Sequence, residues 1–311
     1  MPQADFLKTL IAGAACAALA ACDMPARPVA APVPEAPAAL TPPTPKSAEA
    51  RAYYGQVQQS LLSQGMMRTD GGGKDTPFTD QMLADNFIRV AMFDEYSREA
   101  TGFVRQETAS RLRRWVIPVR VGIRFGATIA PDRQATDRAR IASYLSRLAG
   151  LTGHPMSIDD ANPNFWIYIV SEDEREALEP KVRAALPNLS TADVDGITNM
   201  PRSTYCLVYA LSEGTSGAYT RAFAVIRAEH PDLLSLSCIH EEMAQGLGLA
   251  NDSPRARPSI FNDDEEFALL TDQDELMLRM LYNPELRPGM TLEQVRPIVE
   301  RLATQLMGGA S

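Results

Sequence analysis

At 311 residues with a hydrophobic fraction of 45%, the chain can bury one sizeable core or two small ones and is not a disordered polymer. A formal net charge of -9 argues against nucleic acid and against electrostatic docking on anionic lipid, because both normally need a basic patch. The one basic cluster, Arg111, Arg113, Arg114, Arg120 and Arg124, runs into a predicted strand and reads equally well as a solvated face.

Residues 1–21 read as a targeting segment. Lys8 precedes an apolar run from Leu10 to Ala21 that is mostly alanine and too short for a comfortable membrane span. Leu19-Ala20-Ala21-Cys22 is similar to the bacterial lipobox, in which the cysteine after a small-residue cleavage site receives lipid. Cys22 is therefore the expected lipidation site, with a plain secretory signal cut after Ala21 as the alternative; Cys16, with Gly13 three residues before it, fits less well. More than one acyl chain makes a stable anchor, so the expected location is a lipid bilayer of the bacterial envelope, facing the periplasm, with inner or outer membrane undecided. Residues 22–47 are rich in proline and alanine and read as a solvated tether.

Residues 48–114 form an expected helical N-terminal extension. A helix is predicted over 48–63, and 65–76 is a loop whose Gly71-Gly72-Gly73 lacks the lysine and hydroxyl ending of a phosphate loop. Thr79 or Asp80 can cap a helix running toward Phe93, with a strand over 87–93 as its rival, and 107–114 looks helical.

The main domain is expected over 115–311. Apolar alternation marks a strand over 115–125 with Pro118 at an edge or bulge, then a helix over 132–148 whose stripe is Ile141, Tyr144, Leu145 and Leu148. A strand at 165–170, a helix at 172–185, and strands at 204–211 and 222–228 follow, and Pro231 and Asp232 open a further helix. Thr271 or Asp272 caps a helix holding Leu276, Met277, Met280 and Leu281, and a capped helix over 291–307 closes the chain. Cys206 and Cys238 are the two cysteines outside the front end. In an exported chain they invite one disulfide tying a strand to a helix; two buried free thiols are the alternative.

The chemistry gathers in Cys238-Ile239-His240-Glu241-Glu242-Met243-Ala244-Gln245-Gly246-Leu247-Gly248-Leu249-Ala250-Asn251-Asp252. A zinc peptidase carries His-Glu-x-x-His on a helix, where residues four apart reach one metal. His240-Glu241 begins that motif, but Ala244 stands four residues on. One residue later a longer pattern fits: Glu241 at the first ligand, Glu242 at the general base, Gln245 at the second ligand, Gly248 at the turn, and Asn251 or Asp252 at the third ligand. Carboxylate and amide oxygens grip zinc more weakly than imidazole or thiolate and suit harder cations. His240 projects about 100° around the helix from Glu241, so it is a nearby polar group rather than a member of the cluster.

Residues 115–290 resemble a family of proteobacterial lipoproteins grouped with the zincin-like metallopeptidases. The resemblance is carried by the stretch just quoted, by Ser259-Ile260-Phe261-Asn262-Asp263-Asp264, and by Leu281-Tyr282-Asn283-Pro284-Glu285-Leu286-Arg287-Pro288-Gly289-Met290. It implies an α+β fold with a zincin-like mixed sheet, a central motif helix and a helical C-terminal part. Two functions follow as expectations. One is a peptidase-shaped module that binds a peptide, glycan or envelope protein without hydrolysis, as an edge strand can. The other is a metal-dependent peptidase or amidase with Glu242 as general base and zinc or another divalent cation held by Glu241, Gln245 and Asn251 or Asp252. Metal-free acid and base work by Glu241 and Glu242 ranks last, because adjacent helix residues diverge. His154 and His230 lie far from the motif in sequence; His230 stands just before the central helix and can reach its first turn, although a surface role is the favoured reading.

Overall fold

A computed structural model describes residues 42–99, 102–262 and 264–308, with the backbone alone for 94–99 and 102–108. The targeting segment, Cys16, Cys22 and most of the proline-rich stretch lie outside the described residues, as does Asp263. The elements run in order as helices α1 (Pro45–Ser63) and α2 (Asp80–Ala91), strands β1 (Phe93–Glu99), β2 (Gly102–Ala109), β3 (Arg114–Trp115) and β4 (Val119–Phe125), and helix α3 (Pro131–Thr152). Next come β5 (Met156–Ile158), β6 (Phe165–Val170), α4 (Glu172–Glu176), α5 (Glu179–Ala185), α6 (Thr191–Thr198), β7 (Cys206–Ser212) and β8 (Ala218–Arg227). Three helices finish the chain: α7 (Asp232–Gln245), α8 (Asp272–Leu281) and α9 (Leu292–Leu306).

The architecture is α+β, built on a mixed and mostly parallel sheet. Strands β5, β4, β6 and β8 lie side by side in parallel, β3 adds a short parallel pairing at the start of β8, and β7 runs antiparallel to β8. Because side chains alternate along a strand, the sheet has two apolar faces. Phe165, Ile167 and Ile169 of β6 and Ala222, Ala224 and Ile226 of β8 join the larger core, with Tyr144, Leu145, Ile239 and Met243 from α3 and α7. The opposite face, with Trp166, Tyr168, Phe223 and Val225, packs on Val182, Val194 and Ile197 of α5 and α6. The central strands are covered on both sides, whereas every residue of β7 is only partly buried. Helix α2 brings Leu83, Phe87 and Val90 into the larger core beside Val295, Val299 and Leu302 of α9, and residues 40–311 form one compact unit.

Several elements differ from their sequence expectations. Residues 107–114, expected as helix, are the end of β2 and a loop reaching β3; β1 and β2 form an antiparallel hairpin. The strand expected over 115–125 is two strands, interrupted at Val116–Pro118, where Val116 and Ile117 are exposed and Pro118 has no N–H to offer a ladder. That break lets the buried Trp115 indole donate to the Gly246 carbonyl at 2.8 Å. The helix expected over 172–185 is divided at Ala177 and Leu178, and β5 and α6 had no counterpart in the sequence reading.

Candidate functional site

Helix α7 is fixed at its start, middle and end. Its N-cap is Pro231, which has no side-chain acceptor, and Gln58 of α1 takes that part: its Oε1 accepts the Leu234 N–H at 3.0 Å, the bond a capping serine would make. One turn on, Cys238 is disulfide-bonded to Cys206 at the start of β7, holding the helix across the antiparallel edge of the sheet. At the far end, Gly246 lies against the Phe165 ring so closely that a Cβ would come within 2.5 Å of it. Gly248 has φ +126° and presses on the Arg113 carbonyl, a position closed to any residue with a side chain. The helix therefore stops and the chain turns back toward Asn251 and Asp252.

Cys238, Glu241 and Glu242 stand at i, i+3 and i+4 and so share one helix face. Their convergence is tighter than adjacent positions suggest. One carboxylate oxygen from Glu241, one from Glu242 and the Cys206 sulfur all lie within 4.8 Å of one another. Glu242 is buried and Glu241 half-buried. Gln245, one turn beyond Glu241, donates from Nε2 to Asp252 Oδ1 at 2.8 Å, so these two expected ligand positions meet. Asn251 does not join them. It is buried, its Nδ2 donates to the Arg89 carbonyl at 2.8 Å and its N–H to the Val90 carbonyl, which satisfies the open end of α2.

The three histidines lie in separate places. His240 stacks on the Tyr144 ring at 3.9 Å and its Nδ1 accepts the Leu270 N–H, on the core side of α7. Burial holds its pKa down to about 3. His154 is bonded to the Ile117 carbonyl beside β4. His230, read from sequence as a surface residue, is only 1% exposed. Its Nδ1 sits 3.7 Å from Cys238 Sγ, its ring meets Tyr54 edge-on, and burial keeps it neutral far below the ordinary histidine range. Its place just before α7 lets it reach the start of that helix, but the contact with Cys238 depends on the turn between β8 and α7, which spacing alone does not specify.

A buried charge cluster closes the carboxyl ends of β6 and β8 next to His230. Glu172 pairs with Arg175 and Arg227, and Glu229 accepts from the Glu172 N–H and from the Ser47 hydroxyl of α1. Desolvation raises the Glu229 pKa. Arg227 also lies under the Tyr54 ring. With Gln58, these contacts make α1 a strap over the head of α7.

Residues 80–301, from the first residue of α2 almost to the end of α9, match the family described as "Protein of unknown function (DUF2927)". The chain belongs to the DUF2927 family. The matched DUF2927 region contains the whole sheet, the disulfide, Glu241, Glu242, Gln245 and Asp252, and leaves out α1. No curated protein and no solved structure shows significant similarity to the chain.

Proposed function

We propose that this is a zincin-like domain that binds an extended peptide or envelope protein segment along β7 and does not perform zinc proteolysis. One observation carries the reading: where a zinc peptidase would grip an ion, Gln245 and Asp252 grip each other, amide to carboxylate. The donor set on that face is carboxylate and amide. Each of the three imidazoles of the chain faces other partners. Such a set holds zinc weakly. The means of binding is a strand edge: β7 pairs with β8 on one side, and among the described residues no strand pairs with its other side. A peptide added there gains backbone hydrogen bonds without any metal. The order of strand, helix, strand, helices, antiparallel edge strand, central strand and motif helix supports the zincin-like reading.

The same reading puts the domain in the periplasm on a lipid anchor at Cys22, followed by a tether rich in proline and alanine. Among the described residues no helix is long and apolar enough to cross a membrane. Loss of membrane association on Cys22→Ala, read by fractionation, checks the anchor. For the binding function, peptides selected from a random displayed library against the purified protein are the probe. Hydrogen exchange should show new protection in β7 amides, with the peptide recovered intact. Recovery of cleaved peptide, with cleavage abolished by Glu242→Gln and by chelator, would instead establish the second reading. In that reading Glu242 is the general base and a divalent cation sits at Glu241, whose carboxylate converges with it.

A further inference from the structure

The convergence of Cys206, Glu241 and Glu242 is unexplained by peptide binding at a strand edge. Three ligand atoms within 4.8 Å of one another are spaced to surround a small cation, and a sulfur with two carboxylate oxygens is a donor set suited to zinc. The sulfur is withheld, because Cys206 is bonded to Cys238. A disulfide sulfur is a poor ligand and a thiolate a good one. A second observation points to the reduced state. His230 is 1% exposed, its Nδ1 faces Cys238 Sγ at 3.7 Å, and among the described residues its Nε2 has no hydrogen-bond partner. In the tautomer that carries its proton on Nδ1, the N–H gains little from a disulfide sulfur and makes a charge-assisted bond to a thiolate.

We propose that reduction of Cys206–Cys238 by a dithiol uncovers a zinc site formed by the Cys206 thiolate, Glu241 and Glu242. Cys206 is the partly exposed residue of the pair and Cys238 the buried one, so the dithiol attacks Cys206 Sγ. The bond between Cys206 and Cys238 breaks, Cys238 leaves as a thiolate beside the His230 ring, and a mixed disulfide joins Cys206 to the reductant. The second thiol of the reductant then displaces Cys206. The protein disulfide has gained two electrons, the reductant has become a disulfide, and of its two protons one stays on Cys206 and one goes to solvent while Cys238 remains a thiolate. Zinc binding releases the Cys206 proton. The site exists only while the disulfide between β7 and α7 is open, so metal capture reports the redox state of the surroundings. This inference stands whether or not β7 takes a peptide.

The test uses the full chain and cobalt(II), whose thiolate complexes absorb where its oxygen complexes do not. Cys238→Ser and Cys206→Ser both abolish the disulfide and both retain Cys16 and Cys22, so they differ only in which sulfur is left. Cys238→Ser should bind cobalt without reductant, show the thiolate absorption, and bind at least about tenfold more tightly than Cys206→Ser, since even outer-shell changes at metal sites cost that much. Addition of Glu241→Gln or Glu242→Gln should weaken it by a similar factor. Equal binding by the two cysteine variants, or no thiolate absorption in Cys238→Ser, overturns the proposal. Should both variants fail to fold, wild-type protein reduced with dithiothreitol and desalted anaerobically decides. It must gain cobalt thiolate absorption that Glu241→Gln and Glu242→Gln diminish, and a spectrum unchanged by reduction refutes the site.

Discussion

Asn251 shows how a residue can stand in a ligand position of the sequence and do other work. Both of its nitrogen donors, side chain and backbone, go to carbonyls in the last turn of α2 that no helical N–H can reach. Asn251→Ala would leave the Arg89 carbonyl, partly buried, without that donor, a loss of ~1 kcal/mol, the low end for an unsatisfied group. Urea denaturation should read this loss directly. Gln245→Ala, which removes a bond to the half-buried Asp252, should cost less. If Asn251→Ala left stability unchanged and altered metal uptake instead, the third-ligand assignment would be restored. The neighbouring Asp252 is the residue that actually meets Gln245, and one step along the chain separates a structural cap from a site residue.

Elements were legible where their pattern was local. Strand β6 occupies the residues its unbroken apolar run marks, α7 starts at the Pro231–Asp232 signal, and α8 and α9 begin at threonine capping boxes. Illegible elements depend on distant partners. Residues 107–114 have helical composition, yet the chain there pairs back on β1 and continues into β3. Three-residue β5 exists because Met156, Ser157 and Ile158 sit opposite Val119, Arg120 and Val121, information held by the other strand. The site followed the same rule: Glu241, Glu242 and Gln245 come from one helix and could be read together, Cys206 was tied to it by the two-cysteine count, whereas His230 and Gln58 arrive from other elements. The Gln58 contact gives a test of such distant support. Gln58→Ala should lower stability by ~1 kcal/mol, the ordinary worth of an N-cap. Pro231→Ser in that background should recover much of the loss, because a serine at the N-cap with the observed extended backbone can accept the same Leu234 N–H. Additive rather than compensating effects in the thermal melts would mean that Gln58 acts through packing of α1 alone.

Over the whole molecule, response to acid is set by buried groups of opposite sense. His240 and His230 are held neutral by desolvation, with smaller help from Arg147 for the first and from Arg227 and Arg133 for the second. The unfolded chain protonates these rings near pH 6.5 and the native one does not, so their contribution is complete above about pH 6.5 and is lost as pH falls toward the folded values. Asp274 works the other way. Burial raises it to about 6 against hydrogen bonds from the Ser259 hydroxyl and the Ile260 and Thr271 amides. The native chain takes this proton first, which adds stability from about pH 6 down to about pH 4. At pH 4.5 the His240 shift amounts to ~2–3 kcal/mol lost and the Asp274 shift to ~2 kcal/mol gained. One histidine and one aspartate nearly cancel; the raised Glu229 carboxyl adds to the gain, while the second histidine and the lowered Glu174 and Asp160 carboxyls add to the loss. Stability should therefore fall as pH drops below about 6.5, seen as a decreasing urea midpoint. His240→Gln keeps an acceptor for the Leu270 amide while removing the proton site, and should flatten that limb by ~2 kcal/mol. Asp274→Asn removes the opposing group; it should steepen the limb while lowering stability at neutral pH, because a carboxylate with several donors becomes an amide. Superimposable pH profiles for wild type and both variants would move the acid sensitivity to groups other than these.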